Sequence, residues 1–394
     1  MILKSKNITL GVTGAISAYK ALELSRLLIK GEAVVRPVMT EAAAQFITPL
    51  SLSTLCRNPV SSSLFDLTNE TRISHIDLAQ KADLIIIAPA TANFIGKAAS
   101  GIADDLLTTI TLAACAPVLI APSMNSAMWE NPIVKENVKR LQKNGYLFVG
   151  PETGELACGY EGKGRLSSVE NILDAAREAL SPKDLLGEKV LVTAGPTREA
   201  IDPVRFVSNA SSGRMGYSIA KAARSRGAEV VLVSGPSYLP KPGGITHVPV
   251  VTAEEMLDAS IRYFTQSTIV IMAAAVADYR PTKSYPTKVK KEATSLVIEM
   301  ERTADVLKYM GSRKKKGQLL VGFALETDNV EENARKKLKE KNLDLVVANA
   351  PAGLDSDFNQ VTILGAQGKR EELPPLKKEE VAERILDTVA ALKK

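Results

Sequence analysis

The chain has 394 residues, 45% hydrophobic and 24% charged, which excludes a disordered or fibrous polymer and leaves length for two or three cored domains. The net charge of +6 fits nucleic acid or small anionic substrates as partners, but the basic residues are scattered rather than striped. The longest apolar runs, Leu106 to Ala121 and Ile269 to Ala277, fall short of a membrane span of roughly 20 apolar residues, and three cysteines without C-x-x-C spacing fit a reducing cytoplasm.

The run after Lys4 and Lys6 imitates a signal peptide, but it breaks at Gly11 and continues as an amphipathic helix, so it predicts a first strand. Short β-branched runs then alternate with helical periodicity. Strands are expected at Ile8–Val12, Val34–Val38, Leu84–Ala88 and Val118–Ala121, with helices at Ala18–Lys30, Thr40–Phe46, Ile133–Asn144 and Val169–Leu180. Pro182, in Ser181 to Asp184, predicts a linker. The alternation restarts with strands at Val190–Ala194, Val230–Ser234, Ile269–Ala274, Leu319–Ala324 and Leu343–Ala348. Helices are expected at Ser218–Arg226, Ala253–Phe264 and Val330–Lys341, then an antiparallel edge strand at Val361–Leu364 and a terminal helix at Lys378–Lys393. The basic run Arg313 to Lys316 reads as a solvated loop. The expectation is α/β, two doubly wound Rossmann-like domains, over 1–181 and 188–394.

Ligands of open α/β sheets sit at the carboxyl ends of strands, so two sheets imply two sites. Gly11-x-x-Gly14 and Ser211-Ser212-Gly213-x-x-Gly216 open helices after strands. Neither is a G-x-G-x-x-G fingerprint or a P-loop, and tight turns explain both equally well. His75 has the ambient pKa of a base, although a lone histidine is more often packed than catalytic. Asn125, just after a strand, could hold a carboxylate or satisfy its own turn. Cys158 lies among glycines that, with Arg165, suit a closing flap. Asp278 ends an apolar run; Lys288, Lys290 and Lys291 could neutralise a triphosphate or be solvated surface; Arg205 and Asn209 could meet an anion. A nucleic-acid-binding flavoprotein and an NAD(P)-dependent oxidoreductase are alternatives. Scattered lysines and 5% aromatic content weigh against the first, and the missing fingerprint weighs against the second.

The ordered set G-x-T-G-x-I-x-A-Y-K, His75, P-A-T-A-N, P-x-M-N-x-x-M-W and A-C-G-x-x-G-x-G-R resembles the homo-oligomeric flavin-containing cysteine decarboxylases, and its last two members resemble phosphopantothenoylcysteine decarboxylase in particular. The resemblance implies a flavodoxin-like first domain and an FMN held near Gly14, Ser17, Thr40, Pro89, Ala90, Thr91 and Asn93. By the same matching His75 is the base, Asn125 holds the substrate carboxylate, Cys158 is the proton donor, and Met124, Gly159 and Arg165 border the substrate.

G-P-T-x-E-x-I-D-P-V-R, S-N-x-S-S-G-x-M-G, A-A-V-A-D-Y and K-x-K-K resemble phosphopantothenate–cysteine ligase. Together the halves resemble the bacterial bifunctional coenzyme A biosynthesis proteins over nearly the whole chain. The resemblance implies CTP and Mg²⁺, an acyl-cytidylate, and then attack by cysteine. Asn209 matches the residue that stabilises the intermediate and Lys288 a lysine of the activation step, with Arg205 beside the substrate. Asp278, Ala304, Asp305, Val306, Leu307, Phe323, Lys337 and Lys341 would border CTP. The chain departs from the family pattern at Ala304, where proline is common. No sequence signal names the metal's ligands. The implied partners are these small molecules and further copies of the chain, with neither nucleic acid nor membrane.

Overall fold

Leu84–Ala90 (LIIIAPA) is buried at every residue, the mark of a central strand covered on both faces. In the computed structural model, which describes residues 2–64, 74–155, 159, 161–290, 296–325, 329–349, 357–366 and 368–393, the chain divides into two units, Met1–Ser181 and Pro182–Lys394.

In the first unit β1 (Asn7–Val12), β2 (Val34–Met39), β3 (Leu84–Ala90), β4 (Val118–Pro122) and β5 (Leu147–Phe148) form, among the described residues, a five-stranded sheet ordered β2-β1-β3-β4-β5. All its pairings are parallel. This is the flavodoxin-like order, whose switch point lies between β1 and β3. The helices between and after these strands are α1 (Lys20–Lys30), α2 (Glu41–Ala44), α3 (Pro49–Cys56), α4 (Ser74–Gln80), α5 (Ala92–Ser100), α6 (Leu106–Leu112), α7 (Ser126–Glu130), α8 (Pro132–Lys143) and α9 (Val169–Leu180). Strand alternation explains why the sheet is covered twice. Leu84, Ile86 and Ala88 pack with α1, α3 and α9, and Ile85 and Ile87 pack with α4, α5, α6 and α8; a register shift after Ile87 carries Ala90 to this second face. An antiparallel hairpin, β6 (Glu152–Glu155) with β7 (Glu161–Arg165), stands outside the sheet.

The second unit carries β8 (Lys189–Ala194), the short hairpin β9 (Arg198–Ala200) and β10 (Phe206–Ser208), β11 (Glu229–Ser234), β12 (Thr246–Pro249) and β13 (Ile269–Met272). The arm β14 (Tyr279–Pro281) and β15 (Met300–Arg302) follows, then β16 (Leu319–Leu325), β17 (Leu345–Asn349), β18 (Phe358–Asn359), β19 (Val361–Gly365), β20 (Arg370–Glu372) and β21 (Leu376–Lys377). Its main sheet, eight strands among the described residues, runs β12-β11-β8-β13-β16-β17-β19-β20. The first six are parallel and follow Rossmann order, with the switch point between β8 and β13. Helices α10 (Arg214–Ser225) and α14 (Lys378–Lys393) cover one face. The other is covered by α11 (Ala253–Phe264), α12 (Val306–Ser312) and α13 (Val330–Glu340). No helix among the described residues is long and apolar enough to cross a membrane.

Three sequence expectations are revised, and a fourth gains detail. Val361–Gly365 is antiparallel to β17 but is not the edge, because β20 pairs on its far side. The helix expected from Ser218 begins at Arg214, since Gly213 caps it at φ +79°, a conformation open to glycine. The stretch after Pro182 is not a loose linker: Leu185 is fully buried in the second core and Asp184 pairs with Arg226. The basic run is the expected exposed loop, with Arg313 stacked 3.8 Å over the Tyr309 ring and Lys314 paired to Asp344 at 3.0 Å.

Candidate functional sites

In the first unit the expected cofactor residues come from the carboxyl ends of consecutive strands. Thr13 Oγ1 donates to the Pro89 carbonyl at 2.8 Å and accepts the Thr91 N–H at 3.0 Å, fastening the turn after β1 to the turn after β3. Gly14 lies on the first turn at close quarters: a Cβ there would stand 2.5 Å from Ala42 Cβ. Thr40 caps α2 and Thr91 caps α5, leaving their small first turns along the same edge, with Asn93 exposed. Buried Ser17 bonds Ser123 Oγ at 2.7 Å, and the Ser123 N–H donates to the Ala90 carbonyl, so the turn after β4 is tied in as well.

Asn125 caps α7, its Oδ1 accepting the Ala127 N–H at 2.8 Å. The Met124 N–H donates to the Gly164 carbonyl at 3.0 Å, which seats the β6–β7 hairpin, and with it exposed Arg165, beside the Asn125 turn. Gly159 is exposed. Cys158 and the side chain of His75 lie outside the described residues. A cavity of about 340 Å³ in this unit, lined by Trp129, Phe148, Lys139 and Lys163 among others, contains none of the expected site residues.

The second unit brings all eight expected CTP residues together. Asp278, Ala304, Asp305, Val306, Leu307, Phe323, Lys337 and Lys341 line one cavity of about 440 Å³. Thr193, Met272 and Phe323 place it at the carboxyl ends of β8, β13 and β16, where this topology puts ligands. Sequence reasoning did not single out Thr303, which pins the cavity mouth: its Oγ1 donates to the Ala277 carbonyl at 2.5 Å and its N–H to the Asp278 carbonyl.

Asp305 caps α12 through the Lys308 N–H and pairs with Lys341 at 2.7 Å. Burial alone would raise its pKa, but the bond from Lys341, the Lys308 N–H and the charges of Lys341 and Lys337 hold it below the ordinary carboxylate value. Lys337 Nζ donates to the Phe323 carbonyl at 2.7 Å. The wall therefore carries Arg302, Lys337 and Lys341 against two carboxylates, Asp278 and the Asp305 already committed to Lys341, and this net positive lining favours a polyanionic guest.

Exposed Asn209 is tied to that wall, its Nδ2 donating to the carbonyls of Ala275 (3.3 Å) and Val276 (3.0 Å); Val276 lines the cavity. The loop after β8 is laced to the same segment, since Ala275 N–H donates to Gly195 O and Ala277 N–H to Thr197 Oγ1. Arg205 and Lys288 are not in the cavity lining. Arg205, expected beside the substrate, gives Nε and Nη2 to Asp202 and Nη2 also to the Val289 carbonyl. Lys288 and Lys290 are exposed, and Lys291 lies outside the described residues. Among the described residues no group of three or more His, Cys, Asp or Glu is placed to hold a metal ion.

Residues 2–181 match the family described as Flavoprotein, and residues 185–392 match the DNA/pantothenate metabolism flavoprotein C-terminal domain. The chain is 48% identical over 401 residues to the coenzyme A biosynthesis bifunctional protein CoaBC of Bacillus subtilis (strain 168), covering 100% of this chain and 98% of that one. It is 45% identical over 397 residues to the protein of the same name from Escherichia coli (strain K12), covering 99% and 98%. Among solved structures it is similar to the C-terminal domain of a CoaBC protein, with 49% identity over 53% of this chain and 97% of that one and a TM-score of 0.47. It is also similar to the FMN-dependent cysteine decarboxylase SpaF, with 34% identity over 45% and 97% and a TM-score of 0.40.

Proposed function

Since the chain belongs to the family of bifunctional coenzyme A biosynthesis proteins, and is both a flavoprotein phosphopantothenoylcysteine decarboxylase and a phosphopantothenate–cysteine ligase, we propose how its two units divide that chemistry. The second unit activates the acid and joins cysteine to it. The first unit decarboxylates the product.

The observation that carries this reading is the 440 Å³ cavity on the second sheet. CTP is its guest, with Lys337 and Lys341 on the phosphates. The phosphopantothenate carboxylate attacks the α-phosphorus, the bond to the β-phosphate oxygen breaks, and pyrophosphate leaves. In such a transfer the protein's work is positioning and charge stabilisation. Lys288 supplies positive charge in this step. Cysteine's amine then attacks the acyl carbon and CMP leaves, with Asn209 beside the acyl-cytidylate. Mg²⁺ bound to the triphosphate would need only one or two protein carboxylates, and Asp278, on the cavity wall, would be the residue to hold it.

In the first unit FMN is the flavin. The turns after β1 and β3, fastened to each other through Thr13, would form the edge against which the ring lies at the switch point. The nine-residue helix α5, capped by Thr91, offers N–H groups to a phosphate. Bound flavin would take two electrons from the substrate's thiol end, which gives the electrons of the broken C–C bond somewhere to go, and would return two to the enethiol after CO₂ has left, so that the net reaction is a decarboxylation. Asn125 Nδ2 donates to the substrate carboxylate, His75 takes the thiol proton, and Cys158 returns a proton to the enethiol carbon once CO₂ has left. Exposed Ile16 and Tyr19 after β1, and Phe46 and Leu50 after α2, support a homo-oligomer built around this edge.

The test is product mass spectrometry of the purified yellow protein given CTP, cysteine and 4′-phosphopantothenate. The expected products are pyrophosphate, CMP, CO₂ and 4′-phosphopantetheine. Amide formation with ATP but not CTP would overturn the assignment of the cavity.

A further inference from the structure

Asp202 and Arg205 lie in the turn that joins β9 to β10, and the chemistry proposed above leaves them without a task. Asp202 has no exposed side-chain surface. Its Oδ1 accepts the N–H groups of Val204 and Arg205, both at 2.8 Å. Its Oδ2 accepts Nε (2.9 Å) and Nη2 (2.6 Å) of Arg205, and also the N–H of Val289 at 3.2 Å. Arg205 Nη2 donates in turn to the Val289 carbonyl at 2.7 Å. Both backbone polar groups of one distant residue are therefore held by this pair.

Val289 immediately follows Lys288. Residues 282–290 belong to neither helix nor strand, so no ladder fixes their path. A second pin lies upstream, where the Tyr285 N–H donates to the Ile201 carbonyl. The short span Pro286-Thr287-Lys288 is thus held at both ends by consecutive residues of one turn. The same turn continues through β10 into Asn209. The Asp202 carboxyl would be raised by burial, but the Val204 and Arg205 N–H groups, the Arg205 guanidinium and the Val289 N–H hold it well below the usual carboxylate range, so the carboxylate form persists at neutral pH.

We propose that Asp202 and Arg205 are positioning residues of the ligase: they grip Val289 by its N–H and carbonyl and thereby fix where Lys288 stands relative to Asn209 and the cavity. Arg205 acts through the chain, not on the substrate. A guanidinium is required because one fork must reach a carboxylate and a carbonyl together, which an ammonium cannot do with the same geometry. This inference rests on the reading of Lys288 as an activation residue.

The experiment is a double-mutant cycle in the full chain with Lys288→Gln, Arg205→Gln, the double variant and Arg205→Lys, following CTP-dependent pyrophosphate release. CO₂ release from phosphopantothenoylcysteine is the integrity control, and trypsin cleavage after Lys290 reports the tether directly. Arg205→Gln is expected to lower kcat about tenfold or more while the KM values for CTP and phosphopantothenate stay within about twofold. The double variant should be no slower than Lys288→Gln alone, and cleavage after Lys290 should quicken about tenfold. Arg205→Lys should restore the thermal midpoint but not the rate. Should Arg205→Gln fail to fold, Arg205→Lys takes its place in the cycle.

Effects that multiply in the double variant, a raised substrate KM with kcat intact, or cleavage at the wild-type rate would each overturn the proposal. If Lys288→Gln alone is silent, the reading of Lys288 falls, and the trypsin rates decide by themselves whether the tether stands.

Discussion

Lys337 shows how a surface-type residue becomes part of a site. Its ammonium donates to the Phe323 carbonyl at 2.7 Å, so it is held at the cavity wall rather than left to sweep through solvent. Replacing it with methionine keeps the stem and removes the charge. A charge-assisted hydrogen bond contributes about 1.5–3 kcal/mol, so Lys337→Met should raise the KM for CTP about tenfold to a hundredfold, with CO₂ release unchanged. A KM within experimental error of wild type would remove Lys337 from the triphosphate. Asn209→Asp should fail for two reasons. Beside an acyl-cytidylate it adds like charge, and at rest it replaces the donor that holds the Ala275 and Val276 carbonyls with an acceptor. Amide formation should fall at least about tenfold; an unchanged rate would place Asn209 outside the reaction. The sequence motif marked both residues as site candidates. It could not mark Thr303 or the bond between Asp305 and Lys341, because neither lies at a diagnostic spacing and both depend on segments that meet only in space.

At the scale of elements, the turn after β1 works because it nearly touches α2. A Cβ on Gly14 would stand 2.5 Å from Ala42 Cβ and 2.9 Å from the Ala42 carbonyl carbon, so even alanine must push the two apart. Overpacking of this kind costs about 1–3 kcal/mol, and Gly14→Ala should retain about tenfold less flavin after gel filtration. Equal visible absorbance per chain would show that the turn is not the cradle. In the second unit α10, β11 and β12 share a polar contact: Tyr217 Oη meets Ser234 Oγ and His247 Nε2, each at 3.2 Å. Burial, and then the charge of Lys241, lower the His247 pKa. The unfolded chain therefore binds a proton that the folded unit resists. Stability from this source is complete above the unfolded value of about 6.5 and is lost as pH falls from there through the lower folded value. His247→Gln should flatten the loss of thermal midpoint over that window relative to wild type. Parallel curves would mean that the shift has no thermodynamic weight.

For the whole molecule the informative cut lies a few residues from where composition puts it. Sequence places the second domain at 188, after a proline-marked linker, yet the second unit begins at Pro182. Leu185 is 0% exposed within its core, and Asp184 grips Arg226, itself only 1% exposed. A fragment starting at 188 loses a buried leucine, a change that costs about 2–5 kcal/mol, and removes a partner from a buried charge. The fragment 182–394 should therefore melt about 5 °C or more above 188–394 and retain amide formation, while 1–181 should retain flavin and CO₂ release. Equal midpoints for the two longer fragments would show that residues 182–187 belong to neither unit.

The sequence by itself determined the two alternating α/β halves and most strand positions, and it supplied the candidate residues of both sites. Buried strands are written as β-branched runs and turns as small residues, and both signals are local. Only the tertiary structure decided which of those residues meet. The strand orders, the strand β20 outside Val361–Gly365, the gathering of residues from five separate stretches into one cavity and the grip of Arg205 on Val289 are facts of long-range packing. Interactions such as Lys337 to Phe323 and Asp202 to Val289 join residues 14 and 87 positions apart. Hydrophobic period and turn chemistry act over a few residues; which strand lies beside which is settled only when both faces of a sheet must be covered at once.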